Sequence, residues 1–238
     1  MDVVVSIGGS VLVPELSSEH VSEYARVVEE IADDHNLSIV VGGGKTARDY
    51  IGVARELGAN DSMCDYLGID ITRVNARLLI SAIDDVAYPE PPTTYREAED
   101  ALADDKVPVM GGMAPGQTTD AVAAVFSEYT NADLLVYATS VDGVYTGDPK
   151  SDEDAEKIDH MSPGELVQIV MQTQLSAGSN SVVDALAAKI IERSGVRTLV
   201  LDGSDPEALE HAVLDGVYDG TEIVPDDYSE SQGVLDDF

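Results

Sequence analysis

Basic residues are scarce: 13 Lys and Arg stand against 46 Asp and Glu in 238 residues, a net charge of −33. Nucleic acid, itself a polyanion, is a poor partner for such a chain. Cysteine occurs once, at Cys64, which excludes an internal disulfide and fits a reducing compartment. The bland role of a small, semi-buried hydrophobe suits that thiol. No apolar run approaches the roughly 18 residues of a membrane span, and no basic segment with a long apolar stretch precedes the first strand. A cytoplasmic location is therefore expected. The four histidines, His20, His35, His160 and His211, are scattered without triad or metal-ligand spacing. Internal repeats, low-complexity blocks and clear linkers are also missing.

The acids are spread along the whole chain, among dense Val, Ile and Leu periodicity that a disordered acidic chain lacks. Self-repulsion on this scale opposes a compact state unless salt screens it, so a high-salt cytoplasm is expected. With so few cations, those beside glycine-rich loops draw notice: Lys45, Arg48 and Lys189.

What is abundant is one local grammar. Residues 107–110 read as a short buried strand, followed by Gly111, Gly112 and Gly116, and then by a helix that Thr118 or Thr119 caps and Asp120 opens. Glycine lets a ligand approach the backbone closely, and the free N–H groups of a helix start favour an anion, most often phosphate. The same strand–glycine junction recurs at Ile7-Gly8-Gly9-Ser10 and Val41-Gly42-Gly43-Gly44-Lys45. Three such junctions point to a nucleotide site at one edge of a sheet. Gly44-Lys45 is not a P-loop, because Ile39 stands where that motif needs its first glycine. The dinucleotide fingerprint is absent too, for want of a third glycine.

Along the chain, strands are expected at 3–7, 37–41, 107–110, 132–138, 196–201 and 221–224. Helices are expected from about 17 or 18, from 45 to a stop at Gly58, over 63–83 and 95–103, from 120, from a capping box at Ser162–Glu165 to about 174, over 182–194, and from Asp205 to Gly216. Residues 150–161 and 176–181 read as mobile, and 226–238 as an acidic disordered tail. Alternating strands and helices give an α/β fold with a mainly parallel sheet covered on both faces, and ligands at the carboxyl ends of its strands. Residues 1–225 form one domain, with a change of role near residue 132.

Individual residues carry two readings each. Lys45 at a helix start opposes the helix dipole unless an anion sits there. Asp120 is either a favourable charge at a helix start or an organiser of a lysine or metal-bound phosphate. Asp65 reads as a helix cap, and Tyr145 and Asp148 as parts of a turn.

These stretches occur in a telling order. Ile7-Gly8-Gly9-Ser10-Val11, Val41-Gly42-Gly43-Gly44-Lys45, Gly111-Gly112-Met113-Ala114-Pro115-Gly116-Gln117-Thr118-Thr119-Asp120, Val141-Asp142-Gly143-Val144-Tyr145 and Ser181-Val182-Val183-Asp184 resemble the amino acid kinase family. Within it the pattern is most like the archaeal uridylate (UMP) kinases, from residue 3 to about 225, and the acidic composition suggests a haloarchaeal member. The resemblance implies a three-layer αβα sandwich, a hexamer built from dimers, and transfer of the ATP γ-phosphoryl group to UMP with Mg²⁺, in pyrimidine nucleotide synthesis. It places UMP at Gly43, Asp65, Met113, Ala114, Pro115, Gly116, Gln117, Thr118 and Thr119, in an acceptor and phosphate half over about 1–131. It places the ATP phosphates at Gly8, Gly9, Ser10, Gly44 and Arg48 in that same half, and the adenosine at Thr139, Ser140, Tyr145 and Asp148 in an ATP half over about 132–225. Asp120 would organise the phosphate-binding groups. One departure stands out: many members carry lysine two residues before the first Gly-Gly, and this chain has Ser6. The catalytic cation would then be Lys45 or Lys189. Metal ligands are not indicated. A sister kinase acting on a carboxylate, carbamate or isopentenyl phosphate, or a nucleotide-binding storage protein, would share the scaffold.

Overall fold

The structure is a computed structural model that describes residues 1–147, 152, 154–175 and 182–225. Asp148, part of the 150–161 segment, residues 176–181 and the 226–238 tail lie outside the described residues. The sheet is built on β1 (Asp2–Ile7), whose Val3, Val4, Val5 and Ile7 are buried on both faces. It pairs in parallel with β2 (Asn36–Val41) on one side and β4 (Leu134–Thr139) on the other. The two-residue β3 (Val109–Met110) extends the sheet beyond β2. Beyond β4 lie β8 (Arg197–Asp202), then β9 (Gly220–Ile223) antiparallel to it, and β7 (His160–Met161) at the far edge. Ile7 is level with both Val41 and Ala138, so β1, β2 and β4 end at one height and release their loops side by side.

Helices cover both faces, as continuous apolar strands require. One layer buries Val3, Val5 and Ile7 against α2 (Ser18–Asp34), the second half of α4 (Asp61–Ile80) and α9 (Pro206–Glu210). The other buries Val4, Val40 and Leu135 against α5 (Tyr95–Ala103), α6 (Thr119–Thr130), α7 (Pro163–Leu175) and α8 (Ala185–Ser194). α3 (Gly44–Glu56) packs on α4. This is the expected three-layer α/β sandwich. Cys64 is buried. Among the described residues no helix is long and apolar enough to cross a membrane.

Several boundaries differ from the sequence reading, each for a local reason. Pro108 has no N–H and divides the expected 107–110 strand, leaving Val107 in an isolated bridge to Ala87. A four-residue helix, α1 (Gly9–Leu12), follows β1 directly. Asn60, not Asp65, caps α4, accepting from the Met63 amide at 2.9 Å. Asp184 caps α8, which starts at Ala185 rather than 182. The last helix gives way to a π-helical turn, His211–Asp215, before Gly216 ends it in the left-handed conformation. The polar stretch after β4 contains a hairpin, β5 (Val144–Tyr145) with β6 (Lys157–Ile158).

Candidate active site

Four loops leave the carboxyl ends of β1, β2, β3 and β4 and converge. Those after β1 and β2 touch backbone to backbone. A Cβ on Gly9 would lie 2.3 Å from both the Gly42 oxygen and the Gly44 nitrogen, and Gly44 adopts φ +63°. The Gly8 amide donates to the Ala138 oxygen at 2.9 Å and the Gly42 amide to the Ile7 oxygen at 2.9 Å, which locks the loops to the strand ends. From α4, Asn75 Nδ2 donates to the Gly42 oxygen at 2.8 Å. Between these loops and α6 opens a cleft of about 260 Å³, lined by residues 8–11, 42–44, 119–120 and 137–140 with Ser6, Arg48 and Val182.

Arg48 is the cation among the described lining residues, and its Nη2 donates to Ser10 Oγ at 3.1 Å. Asp120 is the acid. Its carboxylate accepts from Ser6 Oγ at 3.3 Å, and its carbonyl accepts from the Tyr137 hydroxyl at 2.9 Å. Burial pushes the Asp120 carboxyl up to about 7. The nearby charge of Asp184 adds to that rise, and the Ser6 hydroxyl opposes it. The Tyr137 phenol is raised well above its ordinary value by burial and then by Asp120 and Asp184, so it stays a donor.

The loop after β3 lies against α4. The Gly112 amide donates to Thr72 Oγ1 at 2.7 Å, and a Cβ on Gly111 would meet that same oxygen at 2.6 Å. Farther along, Gly116 takes φ +80° and its amide donates to Asp65 Oδ2 at 2.9 Å. Asp65 therefore reaches out of its helix to hold a loop 51 residues away, a role the local pattern of a cap does not contain. Thr118 caps α6, accepting from the Ala121 amide at 3.1 Å.

The structure thus brings Gly8, Gly9, Ser10, Gly43, Gly44, Arg48, Thr119, Asp120, Thr139 and Ser140 to one cleft. Residues 113–118 form the adjoining loop. Tyr145 lies outside the lining, on β5, with its hydroxyl donating to Asp142 at 2.9 Å. Lys45 is exposed in the first turn of α3, and Lys189 is exposed on α8 with its ammonium 2.8 Å from Glu192; neither lines the cleft. Asp184 and Tyr137, which sequence reasoning did not single out, act directly on Asp120. The Asp before Ala-Leu-Ala-Ala was a readable capping signal for the first; nothing local marked the second. Among the described residues no group of three or more His, Cys, Asp or Glu is arranged to hold a metal ion.

Comparison with known proteins agrees with this architecture. Residues 1–202 match the model of the amino acid kinase family. The uridylate kinase of Haloarcula marismortui is 56% identical over 95% of this chain and 100% of its own length. That of Methanococcoides burtonii is 56% identical over 90% and 92%. The crystal structure of uridylate kinase from Archaeoglobus fulgidus superposes with a TM-score of 0.85 at 50% identity, covering 94% of this chain and 100% of that one. UMP kinase from Bacillus anthracis, at 22% identity and a TM-score of 0.76, shares the fold. The paired glycine loops, the buried carboxylate beneath them and the full-length match converge on one assignment: the chain belongs to the amino acid kinase family.

Proposed function

We propose that the chain is a UMP kinase, moving the γ-phosphoryl group of ATP to UMP to give UDP and ADP. The observation that carries this is the cleft between the interlocked glycine loops, flanked by a second loop that Asp65 holds in place. The full-length likeness to uridylate kinases supports it. ATP phosphates lie over residues 8–10 and Gly44, with Arg48 neutralising charge, and the adenosine is taken by Thr139, Ser140, Tyr145 and Asp148. UMP lies against Gly43, Asp65 and residues 113–119. Residues 1–131 then form the half that holds the acceptor and the phosphates, and residues 132–225 the ATP half that takes the adenosine.

The chemistry asks little covalent work of the protein. The second ionisation of a phosphate monoester lies near pH 6, so the attacking oxygen of UMP is already deprotonated at neutral pH and needs no general base. What remains is to hold two phosphates in line and to neutralise charge as it shifts between them. Backbone amides of the glycine loops and the start of α6 meet that need. Asp120 orders the floor of the cleft through Ser6 and Tyr137. Mg²⁺ would supply further neutralisation. With no built metal cluster among the described residues, it fits as a companion of the ATP phosphates rather than as a resident ion.

The test is ADP formation with ATP and Mg²⁺ at about molar KCl, a salt level set by the charge of the chain. UMP, CMP, dUMP, acetylglutamate, carbamate and isopentenyl phosphate would be offered in parallel. Strong turnover with UMP is expected. Turnover confined to another acceptor, or ATP binding without turnover, would overturn the assignment.

The same reading includes a homo-oligomer, a hexamer built from dimers, in a salt-rich cytoplasm. α3 and α4 support it. Tyr50, Val53, Leu57, Met63, Tyr66, Val74 and Leu78 are exposed on or beside this one helix pair, Leu57 by 83%. An apolar face of this kind needs covering, and a second copy of the chain fits. Val53→Asp combined with Leu57→Asp is expected to lower the solution mass measured by light scattering to that of a smaller assembly than the parent's. A parent that is already monomeric would remove the proposal.

A further inference from the structure

The starts of α6 and α8 are joined by a strap of two side chains. Thr118 Oγ1 accepts from the Ala121 amide at 3.1 Å, which caps α6, and donates its own proton to Asp184 Oδ2. The other carboxylate oxygen of Asp184, Oδ1, accepts from the amides of Leu186 at 2.7 Å and Ala187 at 3.1 Å, which caps α8. A cap that only ends its own helix needs one oxygen. Here the second oxygen crosses to an element 66 residues away. The loop before α6 is therefore pinned twice, at Gly116 by Asp65 from α4 and at Thr118 by Asp184 from α8. Both ends of the strap border the cleft. Thr119 and Asp120 follow Thr118 into its lining, and Val182 lies there two residues before Asp184.

We propose that Asp184 is a positioning residue for phosphoryl transfer, holding loop 113–118 and the start of α6 in register with the start of α8 so that acceptor and phosphate-binding groups keep one geometry. This rests on the kinase reading above. Asp184 makes no contact that requires it to touch the reacting atoms. Its effect passes through Thr118 and, by charge, through Asp120, whose carboxyl it helps to raise while Ser6 opposes and Arg48 shares the cleft.

Asp184→Asn separates this role from plain capping, because asparagine caps a helix as well as aspartate does. Its amide nitrogen then faces Thr118 Oγ1 where a carboxylate oxygen stood, so the bond across the strap must reverse, loses its charge, and leaves the Thr118 proton without its acceptor. The KM for UMP is expected to rise about tenfold while thermal stability changes little, as befits a misplaced loop rather than an unfolded one. The acid limb of the rate profile moves to lower pH, because Asp120 loses a neighbouring negative charge. Thr118→Val should give the same KM defect, with Thr118→Ser recovering most of it, and the Asp184→Asn/Thr118→Val pair should be no worse than the poorer single variant. Amide exchange gives a readout that needs no turnover: Thr118→Val should speed exchange at Leu186 and Ala187, across the strap on α8. An unchanged KM with additive losses, or unaltered exchange on α8, would overturn the proposal. If the parent fails to turn over UMP, the kinase reading falls, and amide exchange still decides whether the strap exists.

Discussion

Asp120→Asn is expected to make the protein more stable at pH 8 and nearly inactive. Asparagine keeps the shape and the acceptor for Ser6 and leaves the carbonyl bond from Tyr137 untouched, while the charge is lost and one oxygen becomes an NH2 group. The fold raises the Asp120 carboxyl from 3.8 to about 7, chiefly by burial and then through Asp184. A carboxyl whose folded value lies above its unfolded one is disfavoured when ionised. The native state carries that cost above pH 7, and the cost fades as pH falls from 7 toward 4. The stability gain of the variant should therefore be largest at pH 8 and absent near pH 4, as read by thermal melts across that range. Turnover should fall on the order of 10²-fold or more, the scale seen when one preorganised electrostatic group is lost. A variant that is less stable than the parent at pH 8, or fully active, would show that Asp120 is merely a helix-start charge.

The second large effect is expected at Gly9. Gly9→Ala places a methyl 2.3 Å from two backbone atoms, the Gly42 oxygen and the Gly44 nitrogen. Backbone cannot rotate aside as a side-chain tip can, so the loops after β1 and β2 must separate. Overpacking of this kind costs about 1–3 kcal/mol. The functional loss should be greater than stability alone implies, because the amides of both loops move together. A fall in kcat/KM on the order of 10²-fold is expected from a displacement of about 1 Å. Gly164→Ala is the contrasting case: in the first turn of α7, its new methyl would find nothing nearer than 4.0 Å. It should raise the melting temperature slightly, by removing unfolded-state freedom. Equal behaviour of the two variants in melting and kinetics would mean the loops are not held as described.

The scaffold was legible because buried parallel strands write themselves as unbroken apolar runs, and glycines or helix caps stand at their ends. Ser162 and Glu165 form the reciprocal bonds of a capping box, and Gly195 takes the left-handed turn expected of a helix stop. The features that escaped were either too short or too distant. β5, β6 and β7 have two residues each, a single period of the strand alternation and too little to show a repeat. Asp65 and Asp184 both look like local caps, and only the second is one; the bonds that give each its place run to residues 116 and 118. Lys45 and Lys189 stand out by charge alone, and charge says nothing of direction. Arg48, one helical turn beyond Gly44, is the cation that lines the cleft among the described residues.

The central position of β1 also governs how the molecule must be assembled. Its first partner, β2, follows within 34 residues, but its second, β4, pairs Val3 with Leu134, 131 residues on. During synthesis one edge of this buried apolar strand thus stays unpaired until more than half the chain has been made. Closing so long a loop slows folding, and an open strand edge is a template for association between neighbouring nascent chains. The acids spread along the sequence bear on this stage as well: at low salt, chains that carry so much like charge repel one another while that edge waits for its partner. At molar salt, where screening cuts the reach of that repulsion to about 3 Å, only close approach is opposed.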